Sequence, residues 1–120
     1  DDTMVNITIW HNPRCSKSRV TLGLLQKRGI DPVQVKYLEK PPTVAEITAA
    51  LIALKIPPFE LMRRNEPAFK ELKLSKESTN DELIAAMANQ PILIERPIVF
   101  AGKNAVIGRP PENVLRLLED

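Results

Sequence analysis

At 120 residues, with 43% hydrophobic and 27% charged side chains and a formal net charge of +2, the chain has the composition of one globular domain. Those values exclude a disordered or fibrous protein, and they give no support to nucleic-acid binding, which needs cations clustered on one face. No apolar run approaches the roughly 20 residues of a membrane helix, and the start lacks the basic and apolar regions of a secretory leader, so a cytoplasmic protein without membrane contact is expected.

Asp1, Asp2 and Thr3 precede Met4, a candidate initiator, and are expected to be foreign to the fold. From Val5 to Trp10 apolar and polar residues alternate and β-branched types are frequent, which predicts a strand, and His11-Asn12-Pro13 breaks it. A helix is predicted from about Ser16, with Val20, Leu24 and Leu25 as its apolar stripe and Gly29 as its left-handed cap. Residues 32–37 read as a second strand, and the helix between them makes the two strands parallel. Beyond Pro41-Pro42 the pattern turns helical. Thr43 with Glu46 forms a capping box ahead of Ile47, Leu51 and Leu54; Thr79 with Glu82 forms another ahead of Leu83, Ala86 and Met87; shorter helical pieces surround Pro67. Strands return at residues 97–100 and 105–107, joined by Ala101-Gly102-Lys103-Asn104 as an antiparallel hairpin. Pro110-Pro111-Glu112 starts a last helix that buries Val114, Leu117 and Leu118. The order βαβ, helices, ββα predicts an α/β protein with a thioredoxin-like mixed four-stranded sheet, as a single domain over residues 1–120 with a helical insertion at 43–90 between its halves.

A single cysteine, Cys15, excludes an internal disulfide and any multi-cysteine metal site, leaving a small buried hydrophobe or a nucleophile. A buried thiol belongs among hydrophobes, but this one lies close to Arg14, Lys17, Arg19 and His11, at the start of a predicted helix. A free cysteine with a pKa of about 8.5 is mostly protonated at neutral pH. Helix-terminal N–H groups and nearby cations favour the thiolate, and the same N–H groups suit a tetrahedral anion. Ser18 is placed to hydrogen-bond the sulfur, and as a serine it cannot act as the resolving thiol of a Cys-x-x-Cys pair.

His11-Asn12-Pro13-Arg14-Cys15 followed by Ser18-Arg19 resembles the nucleophile loop of the glutaredoxin-coupled arsenate reductases. Three later segments match in order: Leu61-Met62-Arg63-Arg64-Asn65, Glu95-Arg96-Pro97-Ile98-Val99 and Ile107-Gly108-Arg109-Pro110-Pro111. The resemblance implies a thioredoxin-like fold, Cys15 as nucleophile, and Arg63, Arg96 and Arg109 as anion-binding arginines, with Arg64 the neighbour most easily confused with Arg63. It also implies that His11 lowers the thiol pKa and that Arg96–Pro97 is a cis peptide. The implied activity is reduction of arsenate to arsenite by a monomer, with glutathione as co-substrate, glutaredoxin as partner, and no metal or bound cofactor. The established members carry Gly-Thr where this chain has Ser16-Lys17. The alternatives are a thioredoxin-like redox regulator of RNA polymerase, which usually switches through the second cysteine that Ser18 replaces, and a thiol-dependent reductase of other substrates.

Overall fold

The computed structural model describes residues 6–118; Val5, expected in the first strand, and the segment before Met4 lie outside the described residues. The chain divides into two compact units, one comprising residues up to Tyr37 together with those from Arg96 onward, the other Leu38–Glu95. No helix among the described residues is long and apolar enough to cross a membrane.

The first unit is built on a four-stranded sheet in the order β2-β1-β3-β4, from β1 (Ile7–Trp10), β2 (Val33–Val35), β3 (Ile98–Ala101) and β4 (Asn104–Ile107). The β1 and β2 strands are parallel, with Thr8 opposite Val33, as a helical connection requires. The β1–β3 and β3–β4 pairs are antiparallel, which makes the sheet mixed, as expected. In the β3–β4 hairpin Ala101 pairs with Asn104, leaving Gly102 and Lys103 as the loop. Gly102 has φ +62, the positive value that a two-residue hairpin asks of glycine.

Helix α1 (Ser16–Lys27) connects the parallel strands and ends through Gly29, φ +79, while the Ile30 N–H returns to the Leu25 carbonyl at 3.0 Å. Its buried face differs from the predicted stripe. Leu25 is buried and Leu24 partly so, but Val20 is 50% exposed and the fully buried positions near the N-terminus are Ser18 and Thr21. The helix can turn polar residues inward because both hydroxyls are satisfied: Thr21 Oγ1 donates to the Lys17 carbonyl at 2.8 Å, and Ser18 Oγ bonds within the cysteine loop. Ile9, Leu25, Val99 and Val114 form the core, with Ile7, Leu22, Ile30, Val106, Leu117 and Leu118 against it. The last segment, Pro111–Leu118, winds as a 3-10 helix and still buries Val114 as the sequence pattern requires.

The second unit is helical. Its α2 (Val44–Leu54) and α5 (Asn80–Asn89) each begin with the predicted capping box, in which Thr43 and Thr79 accept from the Glu46 and Glu82 amides while those glutamates accept from the threonine amides. Between them lie α3 (Pro58–Leu61) and α4 (Pro67–Glu71), both opening on proline. Ile47, Ala50, Leu51, Leu61, Leu83, Met87, Leu93 and Ile94 are its buried apolar residues around α5. Met62 and Ile94 form an isolated antiparallel bridge that fixes the backbone at Arg63, whose N–H donates to the Leu93 carbonyl at 2.7 Å.

Candidate active site

Cys15 is the N-cap residue of α1, at φ −94 and ψ 124, half-buried and free of any disulfide. The loop that delivers it is organised by Asn12, which sequence reading treated only as part of a break. Its carbonyl accepts the Cys15 N–H at 3.0 Å, its Oδ1 accepts the Arg14 N–H at 3.0 Å, and its own N–H donates to Ser18 Oγ at 3.0 Å. Three bonds from one residue close the turn between β1 and α1. The Asn12-Pro13 pair is the signal that could have revealed it, since asparagine before proline favours this kind of side-chain-closed turn.

Burial pushes the Cys15 thiol up, but the Ser18 amide, the Arg96 charge, the Lys17 amide and a hydrogen bond from Arg96 outweigh it and hold the thiol below its ordinary pKa. The Ser18 and Lys17 amides belong to the first turn of α1, so they favour the anion as backbone donors at the helix's positive end. Ser18 therefore acts differently from the expectation. Its backbone N–H favours the thiolate, while its hydroxyl is committed elsewhere, 2.6 Å from His11 Nδ1 and accepting from Asn12.

His11 also departs from the role that the resemblance implied. It is 4% exposed, and burial first, then Lys36 and Arg19, hold its pKa below the ordinary imidazole value, which favours the neutral ring. A neutral imidazole supplies no cation to a thiolate; it can only fix Ser18 and the first turn of α1 through the shared hydrogen bond. The His11 backbone N–H donates to the Val35 carbonyl at 2.8 Å, which ties the backbone at this residue to the end of β2.

Arg96 and Arg109 share the unit that carries Cys15. The Arg96–Pro97 peptide is cis, as the resemblance implied, and so is Arg109–Pro110, which the sequence reading did not anticipate. The Arg109 guanidinium donates to the Arg96 carbonyl at 3.2 Å, and the Arg109 carbonyl accepts from Asn113 Nδ2 at 3.0 Å. Gly108, which joins β4 to Arg109, bonds through its N–H to the Pro97 carbonyl at 2.9 Å. An ideal Cβ on Gly108 would lie 2.6 Å from Thr21 Oγ1 and 2.9 Å from Pro97 Cγ, so only glycine lets this strand end approach α1 and the proline so closely.

Arg63 belongs to the second unit. Its guanidinium pairs with Glu66 at 2.7 Å, lies 4.0 Å from Glu95, and reaches the Ile92 carbonyl at 3.5 Å. Arg64 is exposed, with its guanidinium 4.4 Å from the centre of the Phe59 ring. The two adjacent arginines thus have distinct surroundings. Glu66 lies three residues from Arg63, whereas Glu95 had no signal in the sequence pattern because it is remote along the chain.

Comparison with known proteins agrees with this arrangement. Residues 10–117 match the model of the ArsC family. The chain is 49% identical over 114 residues to the Escherichia coli K12 protein YfgD, described as uncharacterized, covering 93% of this chain and 96% of that one. It is 44% identical over 117 residues to an arsenate reductase of Neisseria meningitidis serogroup A, covering 96% and 100%. Among solved structures, an arsenate reductase from Vibrio cholerae superposes with a TM-score of 0.91 at 46% identity, covering 94% of this chain and 98% of the other. The family model spans nearly all of the chain and the fold is that of a solved arsenate reductase, and the chain belongs to the ArsC family.

Proposed function

We propose that the chain is an arsenate reductase that draws its electrons from glutathione and glutaredoxin. The observation that carries this reading is the Cys15 sulfur at the positive end of α1, biased toward the thiolate by two helix amides and Arg96. A thiolate is the species that attacks arsenic, and a tetrahedral dianion must have its charge offset before an anionic nucleophile can approach. Arg96 meets both needs, since a guanidinium that favours the thiolate can also offer its fork to an oxyanion. Arg109 is the second anion-binding arginine. Arg63 is assigned to the same task on the resemblance alone. His11 and Ser18 serve as positioning residues for the first turn of α1.

In this mechanism the Cys15 sulfur bonds to arsenic and one arsenate oxygen leaves as water. Glutathione replaces a second oxygen, again lost as water, and arsenic remains pentavalent. A glutaredoxin thiolate then attacks the glutathione sulfur; the arsenic–sulfur bond breaks with its electron pair left on arsenic, which becomes trivalent, and glutathione departs as a mixed disulfide. Hydrolysis of the remaining arsenic–sulfur bond frees arsenite and returns the Cys15 thiol. The sequence has no second cysteine to close an internal disulfide, which is why the reading calls on external thiols and on a reducing, cytoplasmic setting. The reading takes the chain as a monomer without metal or bound cofactor. It is tested by arsenite formation from arsenate with glutathione and glutaredoxin supplied; turnover no faster than that of the Cys15→Ser protein ends it.

A further inference from the structure

We propose that Arg14 and Lys17 form a recognition site for the carboxylates of glutathione at the rim of Cys15. The naming of glutathione rests on the arsenate reductase reading; the charge asymmetry does not. From Asn6 to Ile30 the chain contains no aspartate or glutamate, while Arg14, Lys17, Arg19, Lys27 and Arg28 all fall there. Arg14 and Lys17 flank the half-buried Cys15, and both are exposed. The ion pairs of Arg63 do not involve them, and among the described residues neither has a carboxylate partner. Arg19 adds to the same field, although its guanidinium is engaged by the Pro13 carbonyl at 2.9 Å. The field is felt by His11, whose protonation Arg19 and Lys36 oppose after burial does.

These cations stand on a held backbone. The Arg14 N–H is bound by Asn12 Oδ1 and the Cys15 N–H by the Asn12 carbonyl, each at 3.0 Å, and Lys17 lies in the first turn of α1. Glutathione is short, with one ammonium and two carboxylates that leave it net negative. To bond to an atom carried on Cys15, its sulfur must come within bonding reach, which brings its carboxylates over the residues on either side. Because Ser18 stands where a resolving cysteine would be, the reducing thiol has to be recruited from solution. A cationic rim without acidic neighbours recruits an anionic thiol in preference to a neutral one. Both side chains are long and exposed, so the site steers its ligand more than it locks it.

Disulfide exchange tests this without arsenate. The Cys15 thiolate attacks one sulfur of glutathione disulfide, the S–S bond breaks, a glutathione thiolate leaves, and Cys15 carries the mixed disulfide. The same exchange with the neutral hydroxyethyl disulfide corrects for any change in the thiolate itself. The ratio of the two rates is expected to fall roughly threefold to tenfold in the Arg14→Ala/Lys17→Ala protein, the scale of two exposed ion pairs. It is expected to fall further in Arg14→Glu/Lys17→Glu, and in wild type as salt rises. A ratio unchanged in both double variants overturns the proposal, as does a wild-type ratio indifferent to salt. If the ratio responds while arsenate is not reduced, the cationic site stands and the arsenate reading fails.

Discussion

Replacing Gly108 by alanine tests whether close packing of a strand end sets the position of the arginines. The new methyl would sit 2.6 Å from Thr21 Oγ1, 2.9 Å from Pro97 Cγ and 3.1 Å from Thr21 Cγ2. Neither neighbour is the loose end of a flexible side chain: Thr21 is fully buried with its hydroxyl bound to the Lys17 carbonyl, and Pro97 is a buried ring. Overpacking of this kind costs about 1–3 kcal/mol. Gly108 does not have a positive φ, so alanine adds no backbone strain and instead recovers about 0.4–1 kcal/mol by restricting the unfolded chain. The net expectation is a loss of about 0–2.6 kcal/mol, read from the urea midpoint. Thr21→Ala removes two of the three crowded atoms and leaves Pro97 Cγ, so the double variant should lose at least about 0.5 kcal/mol less than the sum of the single losses. Costs that simply add, or a Gly108→Ala protein more stable than wild type, would refute the packing argument.

Iodoacetamide alkylation of Cys15 against pH should show a midpoint below that of an ordinary cysteine, and Arg96→Ala should move it upward by removing a charge and a hydrogen bond. His11→Gln and Ser18→Ala should each move it less than Arg96→Ala and by similar amounts, because the neutral ring acts through the Ser18 hydroxyl; a His11 effect as large as that of Arg96 with none from Ser18 would restore the histidine as a charge donor. The folded-state pKa of His11 is depressed, so its contribution to stability is fully present above about 6.5 and is lost as pH falls through the lower folded value. Urea midpoints at pH 7.5 and pH 5 should therefore differ less in His11→Gln than in wild type, and an equal difference would contradict the assignment. Thr43→Ala and Thr79→Ala should each cost about 1 kcal/mol in urea unfolding followed by circular dichroism, since each removes one half of an observed capping box; no measurable loss at either would count against that role.

Local chemistry made most of the architecture readable. Both capping boxes, the Gly29 helix end and the Gly102 hairpin turn lie where the residues place them, because each satisfies backbone groups with side chains or dihedrals a few residues away. The failures have one cause. The buried face of α1 was misread at Val20 because Ser18 and Thr21 turn inward, and that depends on partners in the folded chain as well as on periodicity. The tolerance of Gly108 for its neighbours depends on Thr21, distant in sequence, and the acidic surroundings of Arg63 depend on Glu95. A pattern scan sees the residue but not what the fold sets beside it.

The same distinction explains how the thiol is activated. A histidine four residues before a cysteine is compatible with a cation–thiolate pair, and the resemblance implies that His11 lowers the thiol pKa. Burial, and after it the charges of Lys36 and Arg19, hold the His11 pKa below its ordinary value and make the ring a poor cation, and the electrostatic work passes to groups that carry no titratable charge, the Ser18 and Lys17 amides, and to the permanently charged Arg96. Dipoles and a guanidinium do not switch off between pH 5 and 8, whereas an imidazolium would. A nucleophile held this way keeps its activating dipoles and charge across that range, and His11 serves it by keeping Ser18, and with it the first turn of α1, in place.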